Sequence, residues 1–346
     1  MRIGWITADY PKRPARYAVW WGPAALVTMR YRNIALGLNR LGFRNEFYRP
    51  DRQYDAVIVI KAFHEAILDE VKRLRARGTR VIFDANVNYY YIWGRYPDAR
   101  TQPTSAMRRA ALNMTCLADD VIADSQYLLH VVRDYNPRAV WIPDNVWPVL
   151  YPPSKTRRSP ERLRLIWSGV AFKAGEFALI QEALARVKGL ELWLVSDKPP
   201  AIMAELQKAL PLRWFRYQDF YYAWLLGRAD VIVSPRELDN AYNLGHTEYK
   251  ITLGMSRNLP ALASPQPSYC QAINYAGGGI ICQTIADWVA ALEMLRDDPP
   301  TRAQMGQRAR HTVEQRYATP VVVQQYAALL GGGWGRVAGD TRHLHD

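Results

Sequence analysis

The stretch richest in reactive side chains is Ser234–Ser264, SPRELDNAYNLGHTEYKITLGMSRNLPALAS. It reads as the end of a strand, a polar loop, and a helix entered at about Glu248. The loop supplies Arg236, Glu237, Asp239, Asn240, Asn243 and His246. The helix start adds backbone N–H groups and the positive end of a dipole, which together suit an anion. Lys250 falls in the first turn, where a cation opposes that dipole. It points either to a bound anion or to a lysine paired with Glu248 or an aspartate. A second stretch, Ser168–Gly175 (SGVAFKAG), runs strand, glycine turn, lysine, helix. Gly169 and Lys173 there form a phosphate-cradle pattern.

Two further segments carry polar groups at strand ends. Asp84 and Asn86 open DANVNYYYIWGRY, although an aspartate at that place also serves as a turn former or helix cap. The loop Asp9–Thr28 mixes Arg16 with Tyr17, Trp20 and Trp21 and leads into Arg30 and Arg32. Aromatic platforms beside cations suit sugars, nucleobases or amphipathic lipids. The alternative is a surface loop whose tryptophans pack beneath it.

Several chemistries lack their signatures. There is no Walker A sequence, no G-x-G-x-x-G after the first strand, no G-x-S-x-G elbow and no D-x-D triplet. The histidines lack H-x-x-x-H spacing. Cys116, Cys270 and Cys282 are far apart, so neither a structural zinc nor a disulfide framework is expected.

The elements that must position these groups alternate. Strands are expected at 2–8, 55–60, 80–84, 120–123 and 139–143, with helices at 31–41, 65–77, 104–117 and 126–135. Four prolines in Trp147–Glu161 then interrupt the pattern. A second series begins at Leu163, with strands at 163–167, 190–195, 212–217, 231–234 and 260–263. Helices are expected at 175–187, 201–209, 222–227, 248–255, 284–296, 302–317 and 320–330. Apolar strands alternating with helices predict α/β architecture with parallel sheets, here two doubly wound, Rossmann-like domains facing across a cleft. The expected division is 1–147, a linker at 148–162, 163–318, a helix at 319–330 returning to the first domain, and a flexible tail at 331–346.

Composition narrows the class. Of 346 residues, 49% are hydrophobic and 22% charged, which excludes a disordered chain. No apolar run reaches membrane-spanning length and no secretory leader is apparent, so a cytoplasmic protein is expected. Lys and Arg number 45 against 32 Asp and Glu, a net charge of +13. Residues 1–150 carry +8 of it. Such a field favours nucleic acid, anionic lipid or a phosphorylated substrate.

With these motifs in place, the chain resembles GT-B glycosyltransferases of the retaining group-1 (family-4) type. Lys250–Ser264 resembles the segment K-x-x-E-x-x-A-x-G-x-P-x-x-A-S. Gly277–Ile281 (GGGII) resembles the family's small strand–loop, and Asp297–Tyr317 (DDPPTRAQMGQRARHTVEQRY) resembles its helix ending in an aromatic. Ala118–Ser125 (ADDVIADS) and Ile142–Val146 (IPDNV) resemble marks that close the first domain. The resemblance implies a nucleoside-diphosphate sugar, such as a UDP-sugar, as co-substrate, held by the second domain without a metal or other cofactor. Lys250 and Lys173 would hold the diphosphate. Gly169, Asp239, Asn240, Asn243, His246 and Glu248 would complete the donor site. Asp84, Asn86 and Glu237 are the catalytic candidates. Arg16, Trp20, Trp21, Arg30 and Arg32 are the acceptor-side candidates.

The sequence also departs from the pattern. Leu253 stands where the second acidic residue of E-x7-E falls, Gly245 near the first, and the arginine of the G-R-x-x-x-x-K-G turn is missing. The expected activity is transfer of a hexose to a lipid-linked or cell-envelope glycan, peripheral at the inner membrane face. The alternatives are a DNA glycosyltransferase acting on hydroxymethylated bases and a degenerate sugar-nucleotide-binding module.

Overall fold

The computed structural model describes residues 1–8, 27–94, 102–153 and 162–332. The chain divides into two compact units. Unit 1 comprises Met1–Ile92, Pro103–Asn145 and Ala318–Asp346; unit 2 comprises Trp93–Gln102 and Val146–Tyr317. Prolines signal the junction near Trp147. Nothing in the local sequence signals that Trp93 and Gly94 group with unit 2. They do so because the Trp93 carbonyl accepts the Ala241 amide at 3.0 Å and the Trp93 ring packs on Tyr242.

Unit 1 is a six-stranded parallel sheet. Its strands are β1 (Arg2–Ile6), β2 (Arg44–Phe47), β3 (Ala56–Ile60), β4 (Arg80–Ala85), β5 (Asp120–Ala123) and β6 (Ala139–Trp141), in the order β2-β1-β3-β4-β5-β6. β3 is buried along its whole length, as its unbroken AVIVI run requires. β2 was not expected from the sequence. Its RNEF is an edge strand with no fully buried residue, so it carries no apolar run. A π-helical turn, Val27–Arg32, leads into α1 (Asn33–Arg40), followed by α2 (Glu65–Ala76), α3 (Ser105–Leu117) and α4 (Gln126–Arg133). The C-terminal helix Thr319–Leu330 packs on α1, and so closely that a Cβ at Gly37 would clash with Val323.

Arg30 fastens unit 1 from within. Its guanidinium meets Asp84 in a two-pronged pair at 2.9 and 2.8 Å. It also donates to the carbonyls of Ile142 and Pro143 and to Asp144. The Tyr326 hydroxyl donates to Asp84 at 3.1 Å. Burial opposes the Arg30 charge, but Asp84, Tyr326 and Asp144 outweigh it and hold the group well above its usual value. Arg30 is 1% exposed and Asp84 0%. Asp84, expected as a catalyst, and Arg30, expected at the acceptor, are thus both buried and bonded to each other, with Tyr326, Asp144 and two carbonyls completing their partners.

Unit 2 is also a six-stranded parallel sheet. Its strands are β7 (Leu163–Ser168), β8 (Leu190–Ser196), β9 (Leu212–Arg216), β10 (Val231–Ser234), β11 (Ala261–Ala263) and β12 (Gly279–Ile281), in the order β12-β11-β10-β7-β8-β9. The helices are α5 (Gln181–Arg186), α6 (Met203–Gln207), α7 (Asp219–Leu226), α8 (Ala241–Gly245), α9 (Tyr249–Met255), α10 (Pro267–Asn274), α11 (Ile285–Asp297) and α12 (Pro299–Arg316). The strand order reverses between β7 and β10. In such sheets ligands bind beyond the carboxyl ends of strands at that switch point.

Two positions in the Lys250–Tyr317 resemblance have physical causes. Asn258, where the compared segment has glycine, adopts a left-handed φ of 63°, which asparagine tolerates better than most residues. A Cβ at Gly306 of α12 would clash with the Asn258 carbonyl oxygen. Arg302 donates to the carbonyls of Leu295 and Arg296, closing the last turn of α11.

Asp84→Asn should destabilise the protein by about 3–5 kcal/mol, because it strands a buried guanidinium charge. Gly306→Ala should destabilise by roughly 1–3 kcal/mol through the clash with Asn258. Chemical denaturation of each variant beside wild type checks both.

Candidate functional site

The loops after β7 and β10 meet at the switch point of unit 2. A 3₁₀ segment, Ala171–Ile180, follows the Gly169 turn and precedes α5, where a continuous helix from Gly175 was expected. Its three-residue turn puts Lys173 and Glu176 on one face. Lys173 is buried and donates to the Tyr242 hydroxyl at 2.9 Å. Glu176 accepts from Asn243 at 2.6 Å, from Arg236 at 3.3 Å and from the Glu237 amide at 3.3 Å. Arg236 also donates to Asn243 and Tyr269, while its Nη2 is buried with no hydrogen-bond partner.

Lys250, in the first turn of α9, completes the cluster. Its Nζ is buried without a hydrogen-bond partner, 4.6 Å from the centre of the Trp167 ring. A pairing of Lys250 with Glu248 is therefore not formed. Glu248 is buried beside Tyr317, whose hydroxyl is pushed well above its usual value by burial and by the Glu248 charge. Burial, then Arg236 and Lys173, press the Lys250 ammonium well below its ordinary value, against an opposing pull from Glu176. Any Cβ at Gly169 would sit 2.9 Å from Lys250 Nζ and also crowd Trp167. The glycine keeps open the space in front of the amine.

The rest of the loop is built to hold this arrangement. Asn240 caps α8 by accepting the Asn243 amide at 2.8 Å, and Asn243 donates to the Glu237 carbonyl at 2.8 Å. His246 Nδ1 accepts the Thr247 amide, so the neutral ring carries its proton on Nε2. Its carbonyl is tied by Gln266 and Ser268. Asp239 is exposed, and Glu237 is half-buried. A cavity of about 370 Å³ opens on the far side of Arg236, lined also by Glu237, Asp239, Ser264, Gln283 and Trp288; Gly169, Lys173 and Lys250 do not line it.

The structure thus brings Gly169, Lys173 and Lys250 into one cluster in unit 2, with Arg236–His246 looped around it. Asp84, Asn86, Arg30 and Arg32 belong to unit 1. Asn86 follows β4, and its Oδ1 is buried without a partner. Arg32 is half-buried and donates to Asn33. Arg16, Trp20 and Trp21 lie outside the described residues. Sequence reasoning missed Glu176, Tyr242 and Tyr269. Only Glu176 had a usable signal, its three-residue spacing from Lys173. Among the described residues, no three His, Cys, Asp or Glu side chains group as a metal site.

Lys250→Ala should weaken binding of inorganic pyrophosphate, a probe for the cluster's fit to a diphosphate, about tenfold to a hundredfold, the usual loss for a hydrogen bond to a charged group. It should leave the unliganded protein at least as stable, since it removes an unpaired buried cation. The wild-type amine is depressed when empty and is restored towards its ordinary value by an anion. Between those two values binding therefore takes up a proton. Calorimetry in buffers of different ionisation enthalpy, repeated over a series of pH values below the ordinary lysine range, reads this uptake, which the variant should lack.

No protein-family model and no curated protein matches the sequence. Solved structures do match in fold. HepE from Anabaena, in complex with UDP, superposes with a TM-score of 0.66 at 12% identity, over 96% of this chain and 100% of that one. Sucrose-phosphate synthase from Thermosynechococcus elongatus gives 0.69 at 13%, over 97% and 99%. WaaG, a glycosyltransferase involved in lipopolysaccharide biosynthesis, gives 0.61 at 13%, over 96% and 100%. At these identities the likeness is one of fold: the two parallel α/β sheets match the GT-B fold of those structures.

Proposed function

We propose that this chain transfers a hexose from a nucleoside-diphosphate sugar, a UDP-sugar in the first instance, to an acceptor hydroxyl. The observation behind this reading is the pair of buried, unpartnered cationic atoms, Lys250 Nζ and Arg236 Nη2, at the switch point of unit 2. A diphosphate would give both atoms their missing acceptors. HepE, solved in complexes with UDP and with UDP-glucose, supports the choice of nucleotide.

In this reading the diphosphate is the leaving group. Lys250, Lys173, Arg236 and the N-terminal amides of α9 take up the charge that develops on it, without a metal. Asn240, Asn243 and His246 orient the sugar, with Glu237 and Asp239 at the rim. Asn86 is the remaining catalytic candidate from unit 1. Retention of configuration follows the group-1 resemblance. The acceptor proposed is a lipid-linked or cell-envelope glycan, in line with the lipopolysaccharide role of WaaG.

A binding module without transferase activity is the second reading. It rests on Leu253, which is 3% exposed where the resemblance has a carboxylate.

Labelled UDP-glucose incubated with the protein and a bacterial lipid extract, hydroxymethylcytosine DNA or unmodified DNA separates these readings. Label on lipid is the expected result. Label on hydroxymethylated DNA alone would replace the proposed acceptor. Donor binding without transfer or hydrolysis would favour the binding module.

A further inference from the structure

Unit 2 carries an exposed aromatic face, separate from the cation cluster. It is built by β9, one of the two edge strands of the sheet, and by α7, the next helix along the chain. The sequence of α7, DFYYAWLL, is apolar almost all round. Tyr222, Ala223, Leu225 and Leu226 face inward and are buried. Phe220, Tyr221 and Trp224 face outward, 67%, 39% and 46% exposed. The inward set already satisfies the core, so the outward set needs another explanation.

The outer rings form one connected surface. Tyr221 stacks on Trp224 with centroids 5.5 Å apart, and Phe215 of β9 meets Tyr221 edge-on at 6.0 Å. Arginines border them. The Arg228 guanidinium lies 3.4 Å over Trp224, Arg213 lies 5.2 Å over Phe215, and Arg216 is exposed at the end of β9. Asp219, at the N-terminus, is the one acidic residue of α7.

We propose that this face docks on an anionic lipid bilayer. Phe220, Tyr221 and Trp224 enter the headgroup boundary, and Arg213, Arg216 and Arg228 meet lipid phosphates. Charge complementarity selects the occupant. An arginine-bordered patch on a chain of net charge +13 fits an anionic surface and repels a second copy of itself. Base stacking on single-stranded nucleic acid needs open ring faces, whereas Trp224 is already engaged by Tyr221 and Arg228. Phe220, the most exposed ring, has no polar edge and suits an acyl boundary. No helix among the described residues is long and apolar enough to cross a membrane, so the contact is made at the surface.

The test is sedimentation of the full chain with phosphatidylcholine vesicles, with and without phosphatidylglycerol. Binding is expected only when phosphatidylglycerol is present. The double variant Phe220→Ser/Trp224→Ser should lower the partition coefficient at least about tenfold. Replacing Arg213, Arg216 and Arg228 by Gln should lower it about fivefold per arginine. UDP affinity and thermal unfolding report that the variants remain folded, and both should stay at wild-type values. The proposal is overturned if anionic vesicles are not bound, or if these substitutions leave binding unchanged. It is equally overturned if the same substitutions abolish DNA binding or dissociate a dimer instead.

Discussion

A lysine ammonium enclosed without a hydrogen-bond acceptor is costly to fold around, and more so beside two other cations. Unit 2 maintains that arrangement at Lys250, with Arg236 and Lys173 nearby and Glu176 as the opposing charge. Much of the surrounding structure exists to support it. Gly169 leaves the space in front of the amine empty, and Trp167 walls it from below. The 3₁₀ turn sets Glu176 under Arg236, and the Asn240 cap fixes the loop above. The empty site relieves the imbalance by weakening the amine's hold on its proton, and an anion would relieve it by supplying the missing charge; the cluster lies at the sheet edge where such ligands bind.

The fold was largely legible because parallel strands buried on both faces write themselves as apolar runs. β3, β5 and β10 fall where AVIVI, DVIA and VIVS predict them. β2 escaped because an edge strand needs no such run. The short helix α8 escaped because it is held by the Asn240 cap and by Trp93, a residue distant in sequence. The grouping of Trp93 with unit 2 depends on that same long-range contact.

The site was legible in part. Lysine in the first turn of a helix breaks an electrostatic rule, and that breach located Lys250. Spacing alone did not separate function from fastening in unit 1. Asp84 sits at a strand end, as a catalytic carboxylate would, yet Arg30 and Tyr326 consume it. The ADDVIADS and IPDNV marks are fasteners too. Asp120 binds Arg80 and Arg138, Ser125 caps α4, and Asn145 accepts from Thr319 at the start of the C-terminal helix. Long-range partners decide such roles, and no local pattern names them.

The central claim is that the buried cations of unit 2 await a diphosphate. Calorimetric titration of the wild-type protein with uridine, UMP and UDP tests it most directly. Affinity should climb steeply along that series, with the largest step contributed by the second phosphate. Equal affinities for uridine and UDP would contradict the account, because the cluster would then have no anion to receive.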